Sequence, residues 1–159
     1  MPWVRWVERM ELTNEQIEKA EEARKGINPI GVCGLYCDCC SIKLKCNGCR
    51  GDNSFSLAGL KEHNGICPNV KCAKEKGLTG CWECNDILVC KKGFYARKRV
   101  SFAKASVLFI KKYGEKSFLK TVNYIFSIDE ETGHYFLSPQ YGNINSKFEL
   151  LEKYLAKDP

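Results

Sequence analysis

With 159 residues, a formal net charge of +6 at pH 7 and 44% hydrophobic residues, the chain has the size of one ordinary domain or two small lobes. The opening MPWVRWVERMELTNEQ has no long uncharged apolar stretch and no small-residue cleavage site, and the apolar run at Val107 to Ile110 is far short of the roughly 18 residues a membrane span needs. These features predict a cytoplasmic protein, and in a reducing compartment clustered cysteines read as metal ligands rather than disulfides.

Residues 1–12 mix Trp3, Trp6 and Val7 with charges and show no period. Thr13, followed three residues later by Gln16, is a capping box, and the segment after it is rich in good helix formers. Gly26 and then Asn28-Pro29 end this helix. Ile17, Ala20, Ala23 and Arg24 give it only a thin apolar face. The reading is an N-terminal flanking helix within residues 1–29.

All 11 cysteines fall between Cys33 and Cys90, in a stretch punctuated by Gly31, Gly34, Gly48, Gly51, Gly59, Gly65, Gly77 and Gly80. Large hydrophobes are sparse there, so burial alone does not offset the entropy of ordering the chain. Structural zinc in small peptides contributes roughly 10 to 16 kcal/mol of apparent binding free energy, which becomes folding free energy. Residues 30–95 therefore read as a cysteine-rich metal-binding lobe that loosens without its metal.

The spacings favour zinc. Cys46-Asn47-Gly48-Cys49, Cys81-Trp82-Glu83-Cys84 and the pair Cys37 and Cys40 each have knuckle spacing, and two such pairs complete a tetrahedron. Two further ligands from Cys33, Cys67, Cys72 and Cys90 would close two four-sulfur sites, but spacing does not say which four share an ion. Eight thiolates around two divalent ions would lower the net charge to about +2, and ten would bring it to about zero, since the thiolate is the ligating form. Lys43, Lys45, Arg50, Lys71, Lys74 and Lys76 lie among the cysteines, where they can soften the charge on sulfur.

Sharper readings of the same residues fare less well. Cys33, Cys37 and Cys40 match as a string the cluster triad of radical enzymes that cleave S-adenosylmethionine, but the chain is too short and turn-rich for the barrel they need. The ferredoxin run of consecutive C-x-x-C steps is absent, which leaves an iron–sulfur cluster as the alternative to zinc. Cys81 to Cys84 lacks the surrounding βαβ pattern of a thioredoxin-type dithiol. His63, four residues before Cys67, is a substitute ligand or an exposed histidine, His134 reads as exposed, and Cys39 reads as a non-ligand or outer thiol beside Cys40. With two histidines and no recognisable acid pair, no residue is nominated as catalytic.

The order CGLYC-x-x-C, C-x-G-C, C-x4-C, C-x-x-C and a final cysteine resembles the prokaryotic family called domain of unknown function 3795, small cysteine-rich proteins thought to bind zinc. The resemblance runs from about Val32 to Cys90. It implies Cys33, Cys37, Cys40, Cys46, Cys49, Cys67, Cys72, Cys81, Cys84 and Cys90 as the family-type metal positions and leaves Cys39 outside. Leu88-Val89 stands where the family pattern has Phe-Pro. The resemblance implies no reaction.

Beyond the cysteines the period is helical. Val100, Ala103, Val107 and Ile110, with Phe102, Phe109 and Tyr113 alongside, predict a helix between Arg97 and Tyr113 capped at Gly114. Phe118, Leu119, Val122, Ile125 and Phe126 predict a second over Glu115 to Ser127. A link from Asp129 to Asn145 leads to a capping box at Ser146 and Glu149 and a last helix through Leu150, Leu151, Tyr154 and Leu155. The expected fold is a small metal-stabilised irregular α+β or mainly α protein, with a zinc-knuckle lobe packed on a helical lobe at 96–159.

Lys91, Lys92, Arg97, Lys98, Arg99, Lys104, Lys111 and Lys112 surround Phe94 and Tyr95, which reads either as a phosphate-binding surface or as a solvated helix face. The functional expectation is a binding or interaction module with about two structural zinc ions, because all-cysteine sites leave no open coordination position. A nucleic-acid-binding zinc module or an iron–sulfur redox protein is the alternative, and no membrane partner is expected.

Overall fold

The strongest apolar period of the chain, residues 101–128, forms two consecutive helices in the computed structural model, which describes residues 13–15, 18, 19, 22, 28–36, 49, 67–96, 101–128 and 143–155. In chain order the helices are α1 (Pro68–Glu75), α2 (Ser101–Tyr113), α3 (Glu115–Ile128) and α4 (Ile144–Lys153). Two 3₁₀ turns, Cys81–Glu83 and Gly93–Ala96, stand between α1 and α2. Among the described residues there is no strand, only an isolated antiparallel bridge from Ile30 to Tyr36, so the architecture is mainly α. Of the predicted N-terminal helix, Asn14, Glu15, Glu18, Lys19 and Glu22 are helical and exposed, with Lys19 and Glu15 paired at 2.9 Å, one turn apart.

The sequence periods of α2 and α3 correspond to burial. Ala103, Val107, Phe109 and Ile110 of α2 and Phe118, Val122 and Ile125 of α3 are buried, while Tyr113, Leu119 and Phe126 are half-buried. The two helices meet at Gly114, whose φ of +87° is left-handed backbone open to glycine; its N–H bonds Ile110 O at 2.8 Å and closes α2 as predicted. Phe109 is the hub, with ring centroids 4.8 Å from Tyr113, 6.3 Å from Phe118 and 6.2 Å from Phe148. Tilted and edge-on ring contacts of this kind contribute beyond the area the rings bury.

The cap of helix α4 lies three residues before the Ser146 cap expected from sequence. The N-cap is Asn143, whose Oδ1 accepts from Ser146 N at 3.0 Å while Ser146 Oγ accepts from Asn143 N at 2.7 Å. Ser146 thus sits at the third helical position, and an asparagine side chain supplies the cap. Glu152 then faces α2, accepting from Lys112 Nζ at 2.8 Å and Tyr113 OH at 2.6 Å. These two donors hold its carboxyl below the usual carboxylate range.

Residues 28–36 dock on this helical group. Asn28 Oδ1 accepts from Ile30 N at 3.0 Å and its Nδ2 donates to Glu115 Oε1 at 3.1 Å, fixing the entry against α3. Tyr36 stacks on Phe126 with centroids 6.3 Å apart and donates its hydroxyl to Asn123 Oδ1 at 3.1 Å. Between them the chain makes a tight loop, with Gly31 N on Leu35 O at 2.6 Å and Gly34 N on Gly31 O at 2.9 Å. Gly34 has φ +84° and lies so close to α2 that a Cβ there would be 2.5 Å from Val107 Cγ2 and 2.8 Å from Ala103 O. One core results: Ile30, Cys33, Leu35, Trp82, Ile87 and Tyr95 are buried in the same cluster as the α2, α3 and α4 side chains. A smaller cluster, Val32, Val70 and Ala73, lies under Cys49, Cys67, Leu78 and Cys81.

Two outcomes follow. Gly34→Ala forces both left-handed backbone on a residue with a Cβ and a clash with helix backbone, so it should lower unfolding free energy by about 2 kcal/mol or more in a denaturant titration. Lys147 is fully buried, and burial pushes its ammonium down from 10.5 to about 8. Between those values the unfolded chain binds more protons than the folded one, so the lysine contributes a stability gain as pH rises from about 8 toward 10.5. Lys147→Met should remove that rise; superimposable stability profiles for the two proteins over this range would contradict it.

Candidate metal centre

Helix α1 is short, and its boundaries decide where its cysteines point. Cys67 is the N-cap, in extended backbone, with Pro68 at the first helical position where no N–H is required. Cys67 and Cys72 are five residues apart, about 140° around a helix, so the two thiols are presented to different sides. Cys67 packs on the Val32, Val70 and Ala73 cluster, whereas Cys72 lines a cavity whose wall also includes Ala73 and Leu78. The helix ends in paired hydrogen bonds, Gly77 N to Lys74 O at 3.1 Å and Leu78 N to Ala73 O at 2.8 Å, with Leu78 returning to the small cluster.

That reversal carries the chain back to the loop at residue 32, where Cys81 N donates to Val32 O at 2.8 Å. Cys84 N then bonds Cys81 O at 3.1 Å, so the predicted pair closes as a 3₁₀ turn. A further turn, Val89 N to Asp86 O at 3.1 Å, brings in Cys90, and Lys104 of α2 clamps it by donating to Leu88 O at 3.3 Å and Cys90 O at 3.0 Å. Leu88 and Val89, the departure from the family pattern, are exposed and hold no core position. Asn69 Nδ2 bonds Lys92 O at 3.2 Å and anchors the far side.

The product is a cavity of ≈ 250 Å³ lined by Cys72, Cys81, Cys84 and Cys90 together with Lys76, Lys92 and Asp86. Lys76 Nζ is 3.6 Å from Cys84 Sγ and Lys92 Nζ is 3.7 Å from Cys72 Sγ. The neighbouring Cys84 thiolate raises the Lys76 ammonium above its ordinary value, keeping it charged, and Asp86 stands 3.7 Å from the same nitrogen. Burial pushes the Cys81 thiol up to about 11, a rise opposed by a hydrogen bond from Tyr95 and increased by Cys90, Cys72 and Cys84. Cys67, Cys72, Cys81, Cys84 and Cys90 are thiols, not disulfides. Among the described residues, no three His, Cys, Asp or Glu side chains are drawn together into a formed ligand shell; the four sulfurs stand around the cavity wall.

Of the other expected ligands, Cys33 is buried at the turn of the 30–36 loop. Cys49 lies against Gly31, where an added Cβ would be 3.5 Å from its Sγ. Cys37, Cys39, Cys40, Cys46 and His63 lie outside the described residues, as do His134 and the basic residues Arg97, Lys98 and Arg99.

Tyr95, which the phosphate-binding reading of the basic stretch would place at a surface, is buried. It donates its hydroxyl to Cys33 O at 2.6 Å, and burial with the nearby Cys33 and Cys81 holds it as a neutral phenol far above its usual range. Its ring is 5.6 Å from Lys104 Nζ. A buried ring is not a surface on which bases stack, and Lys92, Lys104 and Lys112 are engaged with a sulfur, loop carbonyls and a carboxylate. Sequence reasoning missed the pairing of Lys92 with Cys72, because a separation of 20 positions hides a contact that only folding makes.

The fold and site thus define a mainly helical, cysteine-rich protein, and no helix among its described residues is long and apolar enough to cross a membrane. Residues 41–94 match the model of a family described as protein of unknown function (DUF3795), the family that the cysteine spacing resembles. The match takes in Cys46, Cys49, Cys67, Cys72, Cys81, Cys84 and Cys90 and begins after Cys33, Cys37 and Cys40. Comparison with curated proteins and with solved structures found no match in either.

Replacing Tyr95 by Phe leaves a buried carbonyl at Cys33 without this donor. It should cost about 1 to 3 kcal/mol of unfolding free energy, read from chemical denaturation.

Proposed function

We propose that this chain is a cytoplasmic zinc-binding protein in which thiolates cross-link the loops, and that the surface so held is a binding module for another protein. Cys33, Cys37, Cys40, Cys46, Cys49, Cys67, Cys72, Cys81, Cys84 and Cys90 would supply the ligands for about two ions per chain. The proposal includes the division into an N-terminal flank at 1–29, a cysteine-rich lobe at 30–95 and a helical lobe at 96–159. The observation that carries it is the cavity bounded by four cysteines with an ammonium group beside two of them.

A soft thiolate set suits zinc, and an all-sulfur shell around it supplies cross-links with no open position for chemistry. That points to a structural and not a catalytic role for the ion. The donors next to the sulfurs, Lys76, Lys92 and the Tyr95 hydroxyl, are of the kind that orients ligands and moderates their charge. Burial of Tyr95 and the engagement of Lys104 favour protein binding over the nucleic-acid alternative.

The test is elemental analysis of protein purified without oxygen or added metal, with a visible spectrum of the same sample. About two zinc per chain and no visible band is the expected result, with a loss of thermal stability after chelation under reducing conditions. Iron with a broad visible band would replace this reading by a cluster protein.

A further inference from the structure

The ten family-type cysteines can be divided among ions in many ways, and spacing does not choose. We infer that Cys72, Cys81, Cys84 and Cys90 bind one zinc-like divalent ion as a set, with Lys76 and Lys92 as its charge partners and Cys67 outside it. This rests on the proposed thiolate–metal reading and adds to it a ligand assignment.

Three local structures deliver these thiols to one cavity. The C-terminal turn of α1 follows Cys72, the 3₁₀ turn carries Cys81 and Cys84, and Lys104 clamps the carbonyl of Cys90. Asn69 holds the Lys92 carbonyl, which brings Lys92 back over Cys72. Cys67 does not line the cavity; it is the cap of α1, and the Val32, Val70 and Ala73 cluster on which it packs also supports Cys81.

Charge supplies a second argument. Four thiolates and one divalent cation leave a dianion, which is costly to hold at a half-buried site unless cations approach it. Two ammonium groups stand at 3.6 Å and 3.7 Å from two different sulfurs of the four. Lysine in this position can donate to sulfur without competing for the ion, because it has no acceptor to offer the metal. Asp86, the one carboxylate among the lining residues, is paired with Lys76, so the wall offers an occupant four sulfurs against one carboxylate. That composition selects a soft or borderline cation over magnesium or calcium.

The experiment is an anaerobic cobalt(II) titration of the full chain in reductant, with ions counted by native mass spectrometry. The wild type should develop the intense ligand-to-metal bands of cobalt bound by thiolates. Cys72→Ser and Cys90→Ser should each lose one ion, whereas in Cys67→Ser an ion should still shield Cys72, Cys81, Cys84 and Cys90 from alkylation, whatever becomes of a second ion. Because a ligand variant can fail to fold, the wild type loaded with zinc is also treated with limiting chelator and then alkylated. Cys72, Cys81, Cys84 and Cys90 should become labelled at the same step. Lys76→Met with Lys92→Met should weaken affinity about tenfold or more. Thiolate-bound metal whose release exposes these four cysteines at different steps, or loss of their protection in Cys67→Ser, would overturn the assignment and leave the zinc reading standing. A wild type that binds no metal through sulfur would overturn both.

Discussion

The constraint on which this structure turns is the seating of the 30–36 loop on the helices. Its tip approaches α2 so closely that Gly34 has no room for a side chain, and its carbonyl at Cys33 is held by the buried hydroxyl of Tyr95. A backbone acceptor inside a core must find a donor, and here the donor comes from the segment that follows the last cysteine. One contact therefore joins the start of the cysteine-rich stretch to its end, with α2 lying across both. The adjoining residues Ile30 and Leu35 enter the same core as Phe109, Phe118 and Leu151, so the cysteine-rich residues share the hydrophobic support of the helices.

The thiol cavity inherits its shape from that arrangement. Cys81 is tied to Val32 through the backbone and Cys90 to α2 through Lys104, so two of its four walls are attached to the core. Cys84 closes the same 3₁₀ turn as Cys81, and Cys72 belongs to α1, which Asn69 ties to Lys92 O. The basic surplus of the chain takes on a different meaning in this setting. Lys76 and Lys92 face sulfur, Lys104 faces carbonyl oxygen and Lys112 faces Glu152. Positive charge that resembles a phosphate-binding patch in the linear chain is, at these residues, directed at negative groups of the protein itself.

The helices α2 and α3 were legible from the spacing of Ala103, Val107 and Ile110 and of Phe118, Val122 and Ile125, because a helix repeats its buried face every turn regardless of what covers it. The cap of α4 was not, since Asn143 supplies with an amide what the search for Ser146 and Glu149 looked for in a hydroxyl and a carboxylate. Tyr95 illustrates a different difficulty. An aromatic beside several lysines has the same composition whether its ring lies outside or inside, and the deciding partner, Cys33, is 62 residues away.

The sequence by itself determined that this is a cysteine-rich chain with a helical C-terminal part and thiols spaced in pairs, since composition, period and pair spacing are local properties. Only the tertiary structure decided that Cys72 and Cys90 line one cavity with Cys81 and Cys84 while Cys67 does not. Grouping across a chain depends on where each turn sends the backbone next, and those turns are held by contacts with distant partners such as Val32 O and Lys104 Nζ.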